Sequence, residues 1–276
     1  MNTNKKNNTI LFTIFGIVLV IVVGLLVFFA NRPKTTDNTA SSTSTSSSQK
    51  VDYPTNYKLH DAVKNSTTPL NDLTLPQLST TVAEDEAEVE IKTTAGNINI
   101  KLFPKLAPNA VQNFLVLAKN GYYKNNEFFR VIKDFMIQSG DPSNQGTGSA
   151  SIFGGKSFDT EISNQLYNIR GALALANTGQ ASSSSSQFFI VQNSQDMTNQ
   201  IQDKTKYPQK IIDAYKKGGY PSLDGSYTVF GQVISGMDVV DKIAKAEVTS
   251  SGSGEASSPV DPVKIKSVKI LKNWKF

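Results

Sequence analysis

Few residues in this chain could make or break a covalent bond. Cysteine is absent from the 276 residues, and histidine occurs once, as His60 in a polar stretch. No disulfide, thiolate nucleophile or cysteine zinc site can form. One histidine in such a setting supplies neither a Ser-His-Asp triad nor an HExxH zinc site. Chemistry must come from arginine, carboxylates, amides and apolar surface. Asp134, Asp141, Asp159 and Glu161 are candidates for a carboxylate pair doing acid–base work. Their spacing marks no pair as special, and solvated loop carboxylates explain them as well. Gln138 stands out in FMIQ (135–138) as an amide among apolar neighbours, and a buried amide needs partners. Arg130, in FFRVI (128–132), reads on its own as half of a surface ion pair.

The elements that must position these residues are legible from periodicity. VEIKTTAGNINIKLF alternates at Val89, Ile91, Thr93 and again at Ile98, Ile100, Leu102, with a turn expected at Ala95–Gly96. APNAVQNFLVLAKNGYY follows. Pro108 suits the first turn of a helix and Gly121 its end. Ala107, Ala110, Val111, Phe114, Leu115 and Ala118 recur at helical spacing. Short apolar runs come next (FFRVI, FMIQ, ALALA, QFFIV, YTVFGQVI), separated by Gly, Asn and Ser clusters. A second helix is expected at Asp238–Ala246, and the chain closes on VKIKSVKIL. Many short strands with two helices predict a mainly β fold, an antiparallel barrel or sandwich.

The N-terminal part differs in kind. Thr9 to Ala30 is a 22-residue uncharged run. As a helix it reaches ~33 Å, enough to cross a bilayer core of ~30 Å. It is longer than the apolar region of a signal peptide, and no small-x-small cleavage site follows closely, so an uncleaved anchor is expected. Lys5 and Lys6 precede the run and Arg32 and Lys34 follow it, so loop charge barely sets its orientation. The very short N-terminus and the linker favour N-inside, with the rest of the chain extracytoplasmic. Residues 35–50 are low-complexity Ser/Thr and read as a spacer. Residues 51–85, sparse in apolar groups, read as a partly ordered lead-in. The organisation expected is a cytoplasmic N-terminus (1–8), a transmembrane helix (9–30), linker and lead-in (31–86) and a folded domain (87–276). The net charge of +5 sits mainly in residues 1–34, which carry +4. The folded part is therefore nearly neutral, unlike a nucleic-acid-binding domain.

Five stretches resemble the cyclophilin family in order and spacing: LFPKLAPNAVQNF (102–114), FFRVIKDFMIQSGD (128–141), ALALANTG (172–179), SQFFIV (186–191) and LDGSYTVFGQVISGMDVVDKI (223–243). The resemblance covers roughly residues 87–274. An insertion at about Thr198–Gly219 is similar to one in cyclophilins of Gram-positive bacteria. The resemblance implies an eight-stranded antiparallel β-barrel capped by two α-helices, and peptidyl-prolyl cis-trans isomerase activity on proline-containing polypeptides. Resonance sets a barrier of ~18–20 kcal/mol to rotation about the peptide bond. Rotation needs no nucleophile, metal or cofactor, which suits a domain without cysteine. The twisted amide gains a lone pair on the proline nitrogen, and a guanidinium beside it could bond that lone pair selectively. A barrier lowered by ~7 kcal/mol gives about five decades in rate.

The resemblance assigns this guanidinium to Arg130, with Phe135 and Gln138 as its catalytic companions; Gln138 orients the arginine. Met136, Phe189 and Leu223 join Phe135 in the proline slot. Ala176, Asn177 and Gln187 line the substrate groove, and Tyr227 stands where many members carry histidine. Without the motif each apolar residue would pass for ordinary core, and Asn177-Thr178-Gly179 for a turn. The role requires Arg130 to face a cleft without an acidic partner walling it in. Ser222 replaces a tryptophan that contacts cyclosporin in well-known members, and Trp274 is the only tryptophan, so weak cyclosporin binding is expected. Ser139, in place of a usual glycine, and the Ser182–Ser186 run touch the fine shape of the groove. A monomeric isomerase serving exported or unfolded proteins is the reading; the alternative is a chaperone module that grips proline segments with little turnover.

Overall fold

The computed structural model describes residues 51–276. The expected anchor and spacer lie outside the described residues. Among the described residues, no helix is long and apolar enough to cross a membrane.

β1 (Ala87–Thr93) and β2 (Asn97–Leu102) form the expected hairpin, with Lys92 opposite Asn97. Val89, Ile91, Ile98, Ile100 and Leu102 are fully buried, as strict alternation over one covered face requires. The turn is closed by Thr93, whose hydroxyl donates to Gly96 O at 2.7 Å and accepts from Ala95 N at 3.0 Å. The sheet continues through β3 (Arg130–Ile132), β4 (Met136–Ser139), β5 (Ala172–Leu175), β6 (Phe188–Val191), β7 (Val229–Ser235) and β10 (Ile265–Lys272). These eight strands form one curled antiparallel sheet in the order β10-β1-β2-β7-β5-β6-β4-β3. Backbone bonds from Asn125 N to Ile265 O (2.8 Å) and Phe128 N to Val263 O (2.9 Å) join the segments flanking its two edge strands. β8 (Val248–Ser250) and β9 (Ala256–Pro259) make a separate hairpin lying against β3.

The inner face carries the main core, including Val131, Ile137, Leu173, Ile190 and Phe230. Helix α1 (Pro108–Lys119) packs into it through five of the six residues whose spacing predicted the helix, and the sixth, Ala107, is its buried N-cap. Its free N-terminal amides are satisfied from outside the helix: Asn109 N and Ala110 N donate to the buried carboxylate of Glu161 at 3.0 and 2.9 Å. Helix α3 (Met237–Ala244) starts one residue before the expected span and ends two residues before its end. A third helix, α2 (Gln209–Tyr215), was not expected. Its seven residues are too few for a helical period to declare itself. It lies in the insertion, where Ile211, Ile212 and Tyr215 form a satellite core with Tyr167, Ile169 and Ile201.

The lead-in follows the surface of the domain, held by polar contacts and by Val51, Tyr53, Leu73 and Leu75. Asn56 bridges to Phe153, and the His60 ring lies against Phe276 with its Nε2 3.0 Å from Gln112 Oε1. The buried amide of Gln77 donates to Tyr167 O and Gln232 Oε1, both at 2.9 Å. Glu86 receives the ammonium of Lys101 at 3.0 Å; both side chains are nearly inaccessible, and Lys101 also donates to Thr81 O. Removing one partner of such a pair leaves a charge stranded out of water. Glu86→Ala is therefore expected to destabilise the fold by ~3–5 kcal/mol. Denaturant unfolding measures it, and a loss below about 1 kcal/mol, typical of an exposed pair, would refute this account.

Candidate active site

The register of four strands assembles the site. Arg130 in β3 lies opposite Gln138 in β4, Gln138 opposite Phe189 in β6, and Phe189 opposite Ala174 in β5. Side chains alternate across a strand, so this row shares the outer face of the sheet, and their neighbours in sequence point into the core. That outer face carries a second apolar cluster, formed by Phe103, Met136, Ala174, Phe189, Leu223 and Val229 with others, and edged by Phe135, Ala176, Tyr220 and Tyr227. Phe135 rests on Tyr220 with ring centroids 4.5 Å apart, and Tyr227 meets Phe189 edge-on at 5.5 Å. Leu223 ends a short helical turn, Pro221–Leu223, beside them.

A run of amides crosses this apolar floor. Arg130 Nη1 donates to Gln138 Oε1 at 3.2 Å, with Met136 Sδ at 3.9 Å. Gln138 Nε2 donates to Gln187 Oε1 at 3.0 Å. Gln187 Nε2 in turn donates to Gly146 O and Gly148 O at 3.1 and 2.8 Å. Gln187 O accepts from Ala176 N at 2.9 Å, and Asn177 Nδ2 donates to Ser226 O at 2.8 Å beside Tyr227. Every residue assigned to the site by resemblance thus lies in the apolar cluster, in the amide run or at their common rim. Burial pushes the Tyr227 hydroxyl above its ordinary pKa, and the Arg130 charge opposes that shift, so the two share one electrostatic environment. Two of the serine departures, Ser139 and Ser186, are fully buried. Ser139 points inward and donates to Glu127 O at 2.8 Å, while Ser186 donates to Gly140 O at 2.9 Å.

Arg130 has an acidic partner, in the ion pair that its residue type alone suggested. Its Nε and Nη2 donate to Glu255 Oε2 and Oε1 at 2.7 and 2.9 Å. The arginine is not walled in, because Nη1 stays on the Gln138 side and a fifth of the side chain is exposed. Burial resists ionisation of Glu255, but hydrogen bonds and charge from Arg130, with help from Ser257, hold its carboxyl below the ordinary value. Sequence reading missed Glu255, 125 residues away in the β8–β9 hairpin, and also Tyr220. The one available signal was that Glu255 is the sole acid between Val248 and Val260. Three of the four carboxylates considered for acid–base work are otherwise employed. Glu161 caps α1, Asp141 accepts from Ser143 and from Gln145 N, and Asp159 pairs with Ser182.

Comparison with known proteins agrees with the fold. A crystal structure of a cyclophilin type peptidyl-prolyl cis-trans isomerase from Cryptosporidium parvum, in the presence of the dipeptide Ala-Pro, superposes with a TM-score of 0.54 at 32% identity, covering 67% of this chain and 99% of that one. A second crystal structure of the same enzyme gives 0.54 at 31% identity, covering 68% of this chain and 99% of that one. These define a cyclophilin fold: mainly β, a curled antiparallel sheet with helices. A Staphylococcus aureus protein named "Putative peptidyl-prolyl cis-trans isomerase" is 45% identical over 199 residues, 71% of this chain and 97% of that protein. Its namesake from Staphylococcus epidermidis is 42% identical over the same shares. The family model of the cyclophilin type peptidyl-prolyl cis-trans isomerases matches residues 88–270. The chain belongs to this family, and its reaction is cis-trans isomerisation of X-Pro peptide bonds.

The groove wall at Leu223 is tied to the insertion by its neighbour Asp224. This carboxylate accepts from Asn168 N (2.7 Å), Asn168 Nδ2 (3.0 Å) and Tyr215 Oη (2.5 Å). Burial outweighs these bonds and pushes its pKa from 3.8 up to about 6. Between those values the native state holds a proton that the unfolded chain has released. This group's contribution to stability is therefore largest at low pH and is lost as pH rises through about 6. Asp224→Asn removes the titration. Urea unfolding across about pH 4 to 7 should show a flatter pH dependence in the variant than in the parent; parallel curves would exclude the assignment.

Proposed function

We propose that Arg130 donates to the proline nitrogen as the X-Pro amide twists, with the ring seated on Phe135, Met136, Phe189 and Leu223. One observation carries this reading. The cross-strand row has the guanidinium, held by Gln138, beside the outer-face apolar cluster and its half-buried aromatic rim. The planar amide offers no nitrogen lone pair, so such a donor bonds the twisted state in preference to the ground state. Ala176, Asn177 and Gln187 flank the same floor, where they can meet the substrate backbone. Tyr227 contributes an aromatic wall against Phe189. The Cryptosporidium parvum relative, solved in the presence of Ala-Pro, supports a proline-sized ligand for this groove.

For the cellular setting, the sequence supports a membrane-anchored reading. The uncharged run at 9–30 supports a single-pass anchor, and the Ser/Thr-rich segment after it gives the isomerase domain reach from the bilayer. Its clients are then exported or unfolded chains at the extracytoplasmic face, awaiting slow proline steps in folding.

Two measurements test these assignments. Isomerisation of a proline tetrapeptide by the full chain in detergent should fall about a hundredfold or more in Arg130→Ala, and an unchanged rate would discard the role of Arg130. The same assay should show weak inhibition by cyclosporin. Ser222 is small and exposed where a tryptophan would stand, and Trp274 packs against the main core instead; a submicromolar inhibition constant would contradict this. In membranes, the chain should resist alkaline and high-salt washes and be digested by protease added outside intact cells. Release into the wash, or protection from the protease, would rule out the proposed placement.

A further inference from the structure

We propose that Glu255 is a positioning residue for isomerisation: it grips the guanidinium of Arg130 by one edge so that the opposite edge is presented to the groove. This rests on the assignment of Arg130 as the donor to the proline nitrogen.

A guanidinium carries five N–H donors in a rigid plane. Glu255 takes Nε–H and one hydrogen of Nη2 at 2.7 and 2.9 Å, a two-point grip that sets both position and plane. Gln138 takes one hydrogen of Nη1 at 3.2 Å, and the remaining Nη1 hydrogen has only the thioether of Met136 at 3.9 Å. The outer N–H of Nη2 and the weakly held N–H of Nη1 are left to serve a substrate. An arginine held by Gln138 alone would keep much of its rotamer freedom, which has to be lost in each turnover. The lone pair to be met sits on a neutral nitrogen, so the direction of an N–H matters more than net charge, and neutralising one edge does not defeat the chemistry.

The carboxylate is delivered by a built turn. Ser251 N donates to Glu255 O at 2.7 Å, and Gly254 N donates to Ser251 O at 2.9 Å. Gly254 adopts φ +82°, a left-handed conformation that most residues disfavour. Ser257, buried on β9, lies close enough to help hold the Glu255 carboxyl below its ordinary pKa. Since β9 lies against β3, the hairpin and the strand bearing Arg130 form one framework. A surface ion pair between mobile chains usually contributes little. This one is bidentate, and three quarters of each side chain is covered.

The test uses the full chain in detergent with a proline tetrapeptide, as Glu255→Ala, Glu255→Gln, Arg130→Ala and the Arg130→Ala/Glu255→Ala double variant. Expected is a fall of about tenfold in kcat for Glu255→Ala with KM little changed, and a smaller fall for Glu255→Gln, which keeps one acceptor. In the Arg130→Ala background, Glu255→Ala should change nothing further, because it acts through the arginine. The Arg130 Nε–H resonance, protected from solvent exchange in the parent, should be lost in Glu255→Ala. If Glu255→Ala does not unfold cooperatively, Glu255→Gln decides. A folded Glu255 variant with unchanged or raised kcat overturns the proposal alone, given a slow Arg130→Ala. Arg130→Ala at the parent rate removes the underlying assignment, and the proposal with it.

Discussion

Strand register is the constraint on which the site depends. Arg130, Gln138, Phe189 and Ala174 share a face only because β3, β4, β6 and β5 pair without a slip at those positions. A shift of one residue in β4 would put Ile137 outward and turn Gln138 into the main core. The inner face prevents that shift. Val131, Ile137, Ile190 and Leu173 form the matching row on the core side, and exposing them would forfeit their burial. The apolar core therefore enforces the alignment of a polar site it never touches.

A two-faced apolar sheet also accounts for the second apolar cluster. An antiparallel sheet of this size commonly buries one face and leaves the other to water. Here part of the second face is apolar as well: Met136, Ala174 and Phe189 are buried beneath Phe103, Leu166 and Leu223, and the half-buried aromatic rim of Phe135, Tyr220 and Tyr227 edges them. Proline offers a ring to bury and a backbone to hydrogen-bond. The amide run from Arg130 to Gln187 supplies polar groups along the edge of that surface. No step needs a proton shuttle, which reconciles an active enzyme with a chain holding a single histidine, itself engaged far away with Gln112 and Phe276.

Two peripheral segments attach to the domain by different physics. The insertion docks through its satellite core and through Asp224, whose bonds to Asn168 and Tyr215 connect it to the wall at Leu223. The lead-in, poor in apolar residues, adds to a few apolar contacts its buried amides and the Glu86–Lys101 pair. Groups of that kind must be fully partnered to be tolerated in the interior.

Much was legible in the sequence because local patterns carry it. Alternation at Val89–Thr93 and Ile98–Leu102 determined the first hairpin, and apolar spacing after Pro108 determined α1, since burial on one face imposes a period on the chain itself. The family motifs pointed to Arg130, Phe135, Gln138 and their companions. Helix α2 was invisible, being too short to show a period, and the attachment of the lead-in was hidden because hydrogen-bonded amides leave no hydrophobic pattern. Above all, nothing near Arg130 in the chain announces Glu255. A salt bridge between residues 125 positions apart is written in no local period; it arises only when the β8–β9 hairpin is laid against β3, and that placement is a property of the packed fold.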